Sequence, residues 1–263
     1  MVKHINKQIY DKQFESDERE LMYNLLIEEK FKKMKKFING FEGKILDVGC
    51  GNCWTNQLFN GTRVEHFGID ISDNALKLAE KRGVIVKKVD LDCDPIPFKD
   101  NFFDLVLCSD IIEHTLYPEN ILIEARRVLK GGGNLIVAVP NIASWFNRLL
   151  LLLGFFPWGV ESTGTLDLPN VFFHWHTGHM HTYTKKSIGA LLEITGFKVQ
   201  RYLGANLNVS KIIEQCVNLR GELMANKHCP LFILKLIDFI GKFYSLFPSL
   251  AAEIIVKAKK SNI

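Results

Sequence analysis

The chain has 263 residues, of which 47% are hydrophobic and 24% are charged, and its formal net charge is +4. These values are typical of a soluble globular protein with one large domain, and the longest apolar stretch, residues 149–160, is too short to span a bilayer. Six cysteines at irregular spacing and a charged start without an apolar leader predict a reducing, cytoplasmic location.

The first predicted element is a helix over residues 15–38, because its apolar side chains recur at helical spacing. Gly40 and Gly43 end it. Its second half contains the basic run Lys30–Lys36, which we interpret as a solvated helix face.

Short apolar runs and helical segments then alternate over about a hundred residues. We predict strands over residues 44–48, 64–69, 84–89, 102–108 and 134–139. We predict helices over residues 54–60, 73–82 with Ser72 as N-cap, and 118–129, and a turn over Gly131–Gly133. This alternation indicates a parallel sheet with helices on both faces.

The alternation stops after Pro140. Residues 141–184 are rich in aromatic residues, glycine and histidine, and they are too long for an ordinary connection, so we expect an acceptor-binding lid. The chain then resumes with a predicted helix over residues 185–195, a strand over 196–203, helical sequence over 207–247 and a last strand over 252–258.

The segment DVGCGNC, residues 47–53, directly follows the first predicted strand and allows three chemistries. Its glycines suit a nucleotide loop, its CxxC could be a redox pair or half a zinc site, and Asp47 with the glycines could hold a cationic cofactor. Asp70 ends the next strand, 19 residues after Gly51, where a carboxylate can accept from both hydroxyls of a ribose. The dinucleotide fingerprint would need glycine where Trp54 stands.

Four segments of the chain together carry a family resemblance. ILDVGCG, GIDIS, VDLDCDPIPFKDNFFDLVLCSDIIEH and RVLKGGGNLIVAVPN resemble successive motifs of the class I S-adenosylmethionine-dependent methyltransferases, in the small-molecule and ubiquinone-type branch. The resemblance covers residues 44–141, and GHMHTYTKKSIGALLEITGFKV is similar to the segment that enters strand six in this branch.

The resemblance implies an α/β fold: a Rossmann-like, seven-stranded, mostly parallel sheet with helices on both faces, an antiparallel last strand, and helical and aromatic lid insertions. Residues 1–263 would form a single methyltransferase domain. Its parts would be a helical cap (1–43), a cofactor-binding core (44–140), the lid (141–184), and the C-terminal half of the sheet (185–263) with a helical insert (207–247).

The implied cofactor is S-adenosylmethionine. Glycines 49 and 51 would line its methionine end, with Asp47 beside them. Asp70, followed by Ile71, would hold the ribose. Asp90 and Leu91 would meet the adenine, and Ser109 would lie near the sulfonium.

The chain departs from the family at Cys53, where the third glycine of the loop usually stands. Because no second CxxC exists to complete a zinc site, we expect both Cys50 and Cys53 to be buried structural thiols and predict no metal.

Histidines are the candidate catalytic residues. His114 follows the fourth strand and could serve as general base or as a structural residue of its loop. His174, His176, His179 and His181 form a cluster that raises a metal hypothesis, but no nearby acid or cysteine completes the set. His179 and His181 match the family segment, so we prefer these two as acceptor contacts.

The predicted function is methylation of oxygen on a small molecule or a saccharide precursor. The alternatives are N- or C-methylation of a small metabolite and a non-catalytic relative that binds the cofactor. A nucleic-acid substrate is not expected, since SDIIEH replaces the Asn-Pro-Pro-Tyr type of loop. The apolar stretch at residues 149–158 could reach a membrane surface, and the oligomeric state stays open.

Overall fold

Helices and strands alternate along the part of the chain that this computed structural model describes, residues 17–160, 178–206 and 231–261. The strands are β1 (Gly43–Val48), β2 (Val64–Asp70), β3 (Ile85–Lys88), β4 (Phe103–Ser109), β5 (Leu129–Pro140), β6 (Phe197–Ala205) and β7 (Glu253–Lys260). The α-helices are α1 (Asp17–Ile38), α2 (Asp73–Lys81), α3 (Pro118–Val128), α4 (Trp145–Leu152), α5 (Lys185–Ile194) and α6 (Leu231–Tyr244). Trp54–Phe59 and Ile112–His114 are short 3₁₀ helices.

The strands form one sheet in the order β3-β2-β1-β4-β5-β7-β6. Strands β1 to β5 run parallel, and β7 runs antiparallel to both of its neighbours. The predicted Rossmann-like sheet with its antiparallel last strand is therefore confirmed. The order reverses between β1 and β4, so the loops after these two strands diverge and leave a crevice at the carboxyl edge of the sheet.

Alternating side chains of the central strands supply two cores, one on each face. Leu46 and Val48 of β1 belong to the core that includes α3 and α5, whereas Ile45 faces the core that includes α1. A strand buried on both faces needs an uninterrupted apolar run, which is why the central strands read as continuous apolar segments.

Of three local predictions, one is confirmed and two differ from the structure. Ser72 does cap α2, since its hydroxyl accepts from the Ala75 amide at 3.3 Å. The helix predicted at residues 54–60 is 3₁₀ rather than α. The turn expected at Gly131–Gly133 lies within β5, whose pairing with β4 is irregular there. Residues 207–230 of the predicted helical insert lie outside the described residues.

The two ends of the 141–184 segment meet each other. Asn141 forms an isolated parallel bridge with Tyr183, and the Ile142 amide donates to the Tyr183 carbonyl at 3.0 Å. Of the aromatic residues in this segment, those at 172, 173 and 175 lie outside the described residues. No helix in the described ranges is both long and apolar enough to cross a membrane.

The basic run of α1 is not a uniformly solvated face. Lys32 is exposed as expected, but Lys30 is only 2% exposed, and that part of the interpretation was wrong. The Lys30 ammonium donates to Asp110, directly after β4, and to Oε1 of Glu253 at 3.2 Å. Burial raises the pKa of Glu253 to about 7, against the opposing effect of Lys30. This lysine therefore connects α1 with β7 and with the loop after β4.

Replacing Lys30 by methionine should lower the free energy of unfolding by about 3–5 kcal/mol, because two carboxylates then lose their buried cation. Urea unfolding would measure the loss. Below its pKa of about 7, Glu253 is protonated in both folded proteins. Above this pKa, Glu253 ionises beside Lys30 in the unmodified protein, whereas in the variant the buried carboxyl has no cation to offset the cost of ionisation. The stability difference should therefore be larger at pH 8 than at pH 6.

Lys32→Met is the matched control, since Lys32 pairs with Glu28 on the solvent-exposed face of the same helix. It should leave the unfolding midpoint unchanged. An equal loss in both variants would contradict the role of Lys30.

Candidate cofactor and acceptor site

The loop after β1 places alternate residues in the left-handed region. Gly49, Gly51 and Cys53 have φ values of 67°, 52° and 58°. Glycine is also needed at 49 for space, because a Cβ there would lie 2.5 Å from the Ile111 side chain in the loop after β4. The Ile111 side chain thus packs against the backbone of Gly49 on one side of the crevice.

Cys53 occupies a left-handed position that ordinarily belongs to glycine. Its buried thiol lies 3.7 Å from Oδ2 of Asp47, 3.5 Å from the Thr55 hydroxyl and 3.5 Å from Nε2 of His66. Cys50 is also buried, and both are free thiols. A small polarisable side chain therefore fits at this left-handed position.

Asp47 lies beneath this loop. It is 2% exposed, and its carboxylate accepts from the hydroxyl of Thr55. Burial raises its pKa well above the ordinary value, with the nearby Cys53 adding to the effect. Asp47 therefore supports the loop from inside the protein, and a contact between Asp47 and a ligand stays a prediction.

Asp70, at the end of β2, is fixed to the loop by two backbone donors. Its Oδ2 accepts from the Gly51 amide at 2.8 Å, and its Oδ1 accepts from the Ser72 amide at 2.8 Å. These two bonds fix the orientation of the carboxylate at the end of β2. A carboxylate oxygen can accept from more than one donor, so the group is suited to hydroxyl ligands.

The remaining candidate cofactor residues follow β2, β3 and β4 along the same edge. Ile71 and Leu91 are half-buried, and Leu91 packs against the larger core. Asp90 accepts through Oδ1 from the Asp92 amide at 3.2 Å. Ser109 donates from its hydroxyl to Asp110 at 3.2 Å. Parallel strands explain why residues so far apart in sequence come to one edge.

Two of the three candidate catalytic histidines meet in space. His114, in the second 3₁₀ helix, is buried, and its ring centroid lies 4.7 Å from that of His179. His181 is half-buried beside them. The amides of Met180 and His181 donate to the Glu113 carbonyl at 2.7 and 3.0 Å. Positions 174 and 176 lie outside the described residues.

The ring of His179 is held in place through the first part of the lid. Its Nδ1 lies 2.8 Å from the Gly159 carbonyl. The adjacent Trp158 is fixed by Asn147 of α4, whose amide side chain bonds both its backbone N–H, at 2.8 Å, and its carbonyl, at 3.0 Å. The lid thus contributes to the position of a candidate catalytic ring.

Glu113 is the site residue that sequence reasoning missed. It is 1% exposed, and within the described ranges neither of its carboxylate oxygens has a hydrogen-bond partner. Burial raises its pKa well above the ordinary value, and Asp110 adds to this. The available signal was the Glu-His pair of SDIIEH, of which only the histidine was considered.

The sequence is similar to those of known methyltransferases and of uncharacterized proteins. Residues 46–137 match the family model of a methyltransferase domain. An uncharacterized protein of Methanocaldococcus jannaschii is 34% identical over 140 residues, which are 53% of this chain and 62% of that protein. A ubiquinone/menaquinone biosynthesis C-methyltransferase of Burkholderia mallei is 30% identical over 102 residues, 36% of this chain and 42% of that enzyme.

A solved structure extends the likeness in fold to nearly the whole chain. It is an S-adenosylmethionine-dependent methyltransferase of Thermotoga maritima, described as a possible histamine N-methyltransferase. The two share 19% identity and a TM-score of 0.58, with 99% of this chain and all of the other covered. Residues 46–137 thus resemble a methyltransferase domain, and the fold resembles that of a solved S-adenosylmethionine-dependent methyltransferase. The sequence matches span only about half the length of the curated relatives.

Cys53 offers a test of the loop geometry. Cys53→Gly and Cys53→Ala both remove the thiol contacts, but only glycine adopts the left-handed conformation without cost. The glycine variant should therefore be more stable than the alanine variant by about 1 kcal/mol in chemical denaturation. Equal stability of the two variants would mean that residue 53 is not left-handed in solution.

Proposed function

We propose that this protein is an S-adenosylmethionine-dependent methyltransferase that methylates oxygen on a small molecule or a saccharide precursor by in-line displacement. The observation that carries the proposal is the Asp70 carboxylate, bonded to the Gly51 amide within a segment that matches the methyltransferase model. A carboxylate held beside a glycine loop at the carboxyl edge suits a ligand with a ribose and a cationic end.

The proposed cofactor contacts follow the strand order. Asp70 and Ile71 hold the ribose, and Asp90 and Leu91 meet the adenine. Ser109 lies near the sulfonium. The methionine end of the cofactor lies along the loop at Gly49 and Gly51. Asp47 supports this loop.

The chemistry places few demands on the protein once the methyl group is aligned. The acceptor oxygen attacks the methyl carbon, and the carbon–sulfur bond breaks with its electron pair going to sulfur. A hydroxyl acceptor must also lose its proton, and His114, His179 and His181 are the groups proposed to receive it. The relatives described as C- and N-methyltransferases favour the alternatives of carbon or nitrogen acceptors. A cofactor-binding relative without catalysis is a further alternative.

Calorimetric titration with S-adenosylmethionine, S-adenosylhomocysteine and NAD tests the cofactor. We expect binding of the two sulfur ligands and not of NAD. Asp70→Asn should weaken binding by roughly 100-fold, because two charge-assisted hydrogen bonds to the ribose are lost. Asp73→Asn is the matched control, since Asp73 is an exposed acid on the same edge that pairs with Lys88.

Binding of NAD alone would overturn the methyltransferase proposal. Where the sulfur ligands bind, transfer of a labelled methyl group to hydroxyl, amine and carbon acceptors identifies the accepting atom. Binding without any transfer would favour the non-catalytic relative.

The free thiols support the proposed cytoplasmic location.

We also propose that the protein contacts an anionic membrane surface through α4 and α6. Apolar side chains on both helices are exposed, with Leu152 at 82% and Phe239 at 71%. The ring of Trp145 stacks on Tyr244 at 5.6 Å, which places the two helices side by side.

The charges on these helices favour an anionic partner. Among the side chains described there, the exposed charged groups are all basic: Arg148, Lys235 and Lys242. The one acid, Asp238, is buried. An apolar surface bordered by cations fits the interface of a bilayer with negative headgroups.

Vesicle co-sedimentation tests this surface. The protein should bind phosphatidylcholine vesicles that contain phosphatidylserine more tightly than phosphatidylcholine alone, and salt should weaken the binding. The double variant Leu152→Ser, Phe239→Ser should bind at least about tenfold more weakly. Ile194→Ser is the control, because Ile194 is 84% exposed on α5. No binding, or a dimer that buries these helices, would refute the proposal.

A further inference from the structure

The structure assigns a divalent metal site of the zinc type to Glu113, His114 and His179. One ligand atom from each side chain lies within 4.8 Å of the others. Two imidazoles and one carboxylate are a ligand set that zinc uses in catalytic sites, with a fourth position left open. The sequence alone predicts no metal, because no acid lies near the histidine cluster along the chain. In the folded protein the loop after β4 supplies that acid.

Glu113 provides an independent observation. Its carboxylate is 1% exposed, and both oxygens are without a hydrogen-bond partner among the described residues. Buried carboxylates are expensive unless they are hydrogen-bonded, paired or bound to a cation. Two imidazoles have ligand atoms within 4.8 Å of this carboxylate, so a shared cation explains why the three side chains converge.

His179 is already oriented as a ligand. Its Nδ1, which lies 2.8 Å from the Gly159 carbonyl, donates to that oxygen, and Nε2 then carries the lone pair. Metal-binding histidines usually fix their tautomer by such a bond to a backbone carbonyl. The two amides after His179 bond the Glu113 carbonyl, so the two chain segments are held together without the ion.

A second group of potential ligands, Asp47, Cys53 and His66, does not carry the same inference. Asp47 accepts from Thr55, and Nδ1 of His66 bonds the Asn56 side chain at 3.1 Å. These groups satisfy one another as a buried polar network beneath the cofactor loop. No orphaned ligand there calls for an ion.

The position of the metal site deepens the proposed function, on which this part rests. The site follows β4 on the same loop as Ser109, next to the expected methyl group. With the ion bound, His114 and His179 would act as ligands and not as bases. An acceptor hydroxyl that coordinates the ion would lose its proton to solvent more readily, and its oxygen would then attack the methyl carbon. The substrate class favoured is therefore a hydroxyl compound whose oxygen can take the open fourth position on the ion.

Titration of chelator-treated protein with Zn²⁺ and with Co²⁺ tests the site directly. We expect one equivalent to bind, and Glu113→Gln and His179→Gln each to weaken Zn²⁺ binding at least about 100-fold, since losing even an outer-shell partner of a metal ligand costs about 10–100-fold. Glu119→Gln is the matched control, since Glu119 is an exposed acid on the following helix. It should bind Zn²⁺ like the unmodified protein.

The Co²⁺ spectrum of the unmodified protein gives a readout that does not depend on variants folding. A site of two imidazoles and a carboxylate has no thiolate charge-transfer band, whereas the cluster with Cys53 would show one. The absence of binding, a thiolate band, or unchanged affinity in Glu113→Gln would overturn the inference. Cofactor titration in the presence of chelator separates the two proposals, because S-adenosylmethionine binding should not need the ion.

Discussion

A single buried ammonium group connects three parts of the chain: α1, the loop after β4 and the start of β7. Lys30 of α1 bonds Asp110, which follows β4, and Glu253, which begins β7. Glu253 reaches the carboxyl edge of the sheet only because β7 is antiparallel, so that its first residue pairs beside Pro140 at the end of β5. The parallel sheet brings the cofactor residues together, and the reversed last strand adds a residue that no parallel strand would place there.

Much of this fold was readable from local signals. Apolar runs marked the central strands, and Ser72 marked the start of α2, because these features depend on neighbours in sequence. The observed strand boundaries differ from the predicted ones where pairing between distant residues decides them. Strand β5, for example, extends back through three glycines to pair with β4. The 3₁₀ helix over residues 54–59 follows directly from a left-handed Cys53, and a propensity argument does not include that geometry.

The residues of the candidate site also fall into those that the sequence predicts and those that only the folded structure reveals. Asp70 and the glycines could be placed from spacing and motif, since strand ends in a parallel sheet share an edge. Lys30 and Glu113 could not. Lys30 lies 80 and 223 positions from its two partners. It also sits in a basic run whose Lys32, Lys35 and Lys36 are exposed. Glu113 is recognisable only by its burial without a partner, and burial of a single carboxyl is a property of the packed molecule.

The two ends of the 141–184 segment lie next to each other, and this affects how the sequence between them can change. Because Asn141 and Tyr183 pair directly, the chain leaves the sheet and returns to it at one point. Residues between them can be lengthened, shortened or exchanged while β5 and α5 stay in place, since loop closure costs little for added length. The half of the molecule proposed to meet the acceptor can therefore vary while the half proposed to hold the cofactor keeps its geometry, and such a scaffold can serve many substrates.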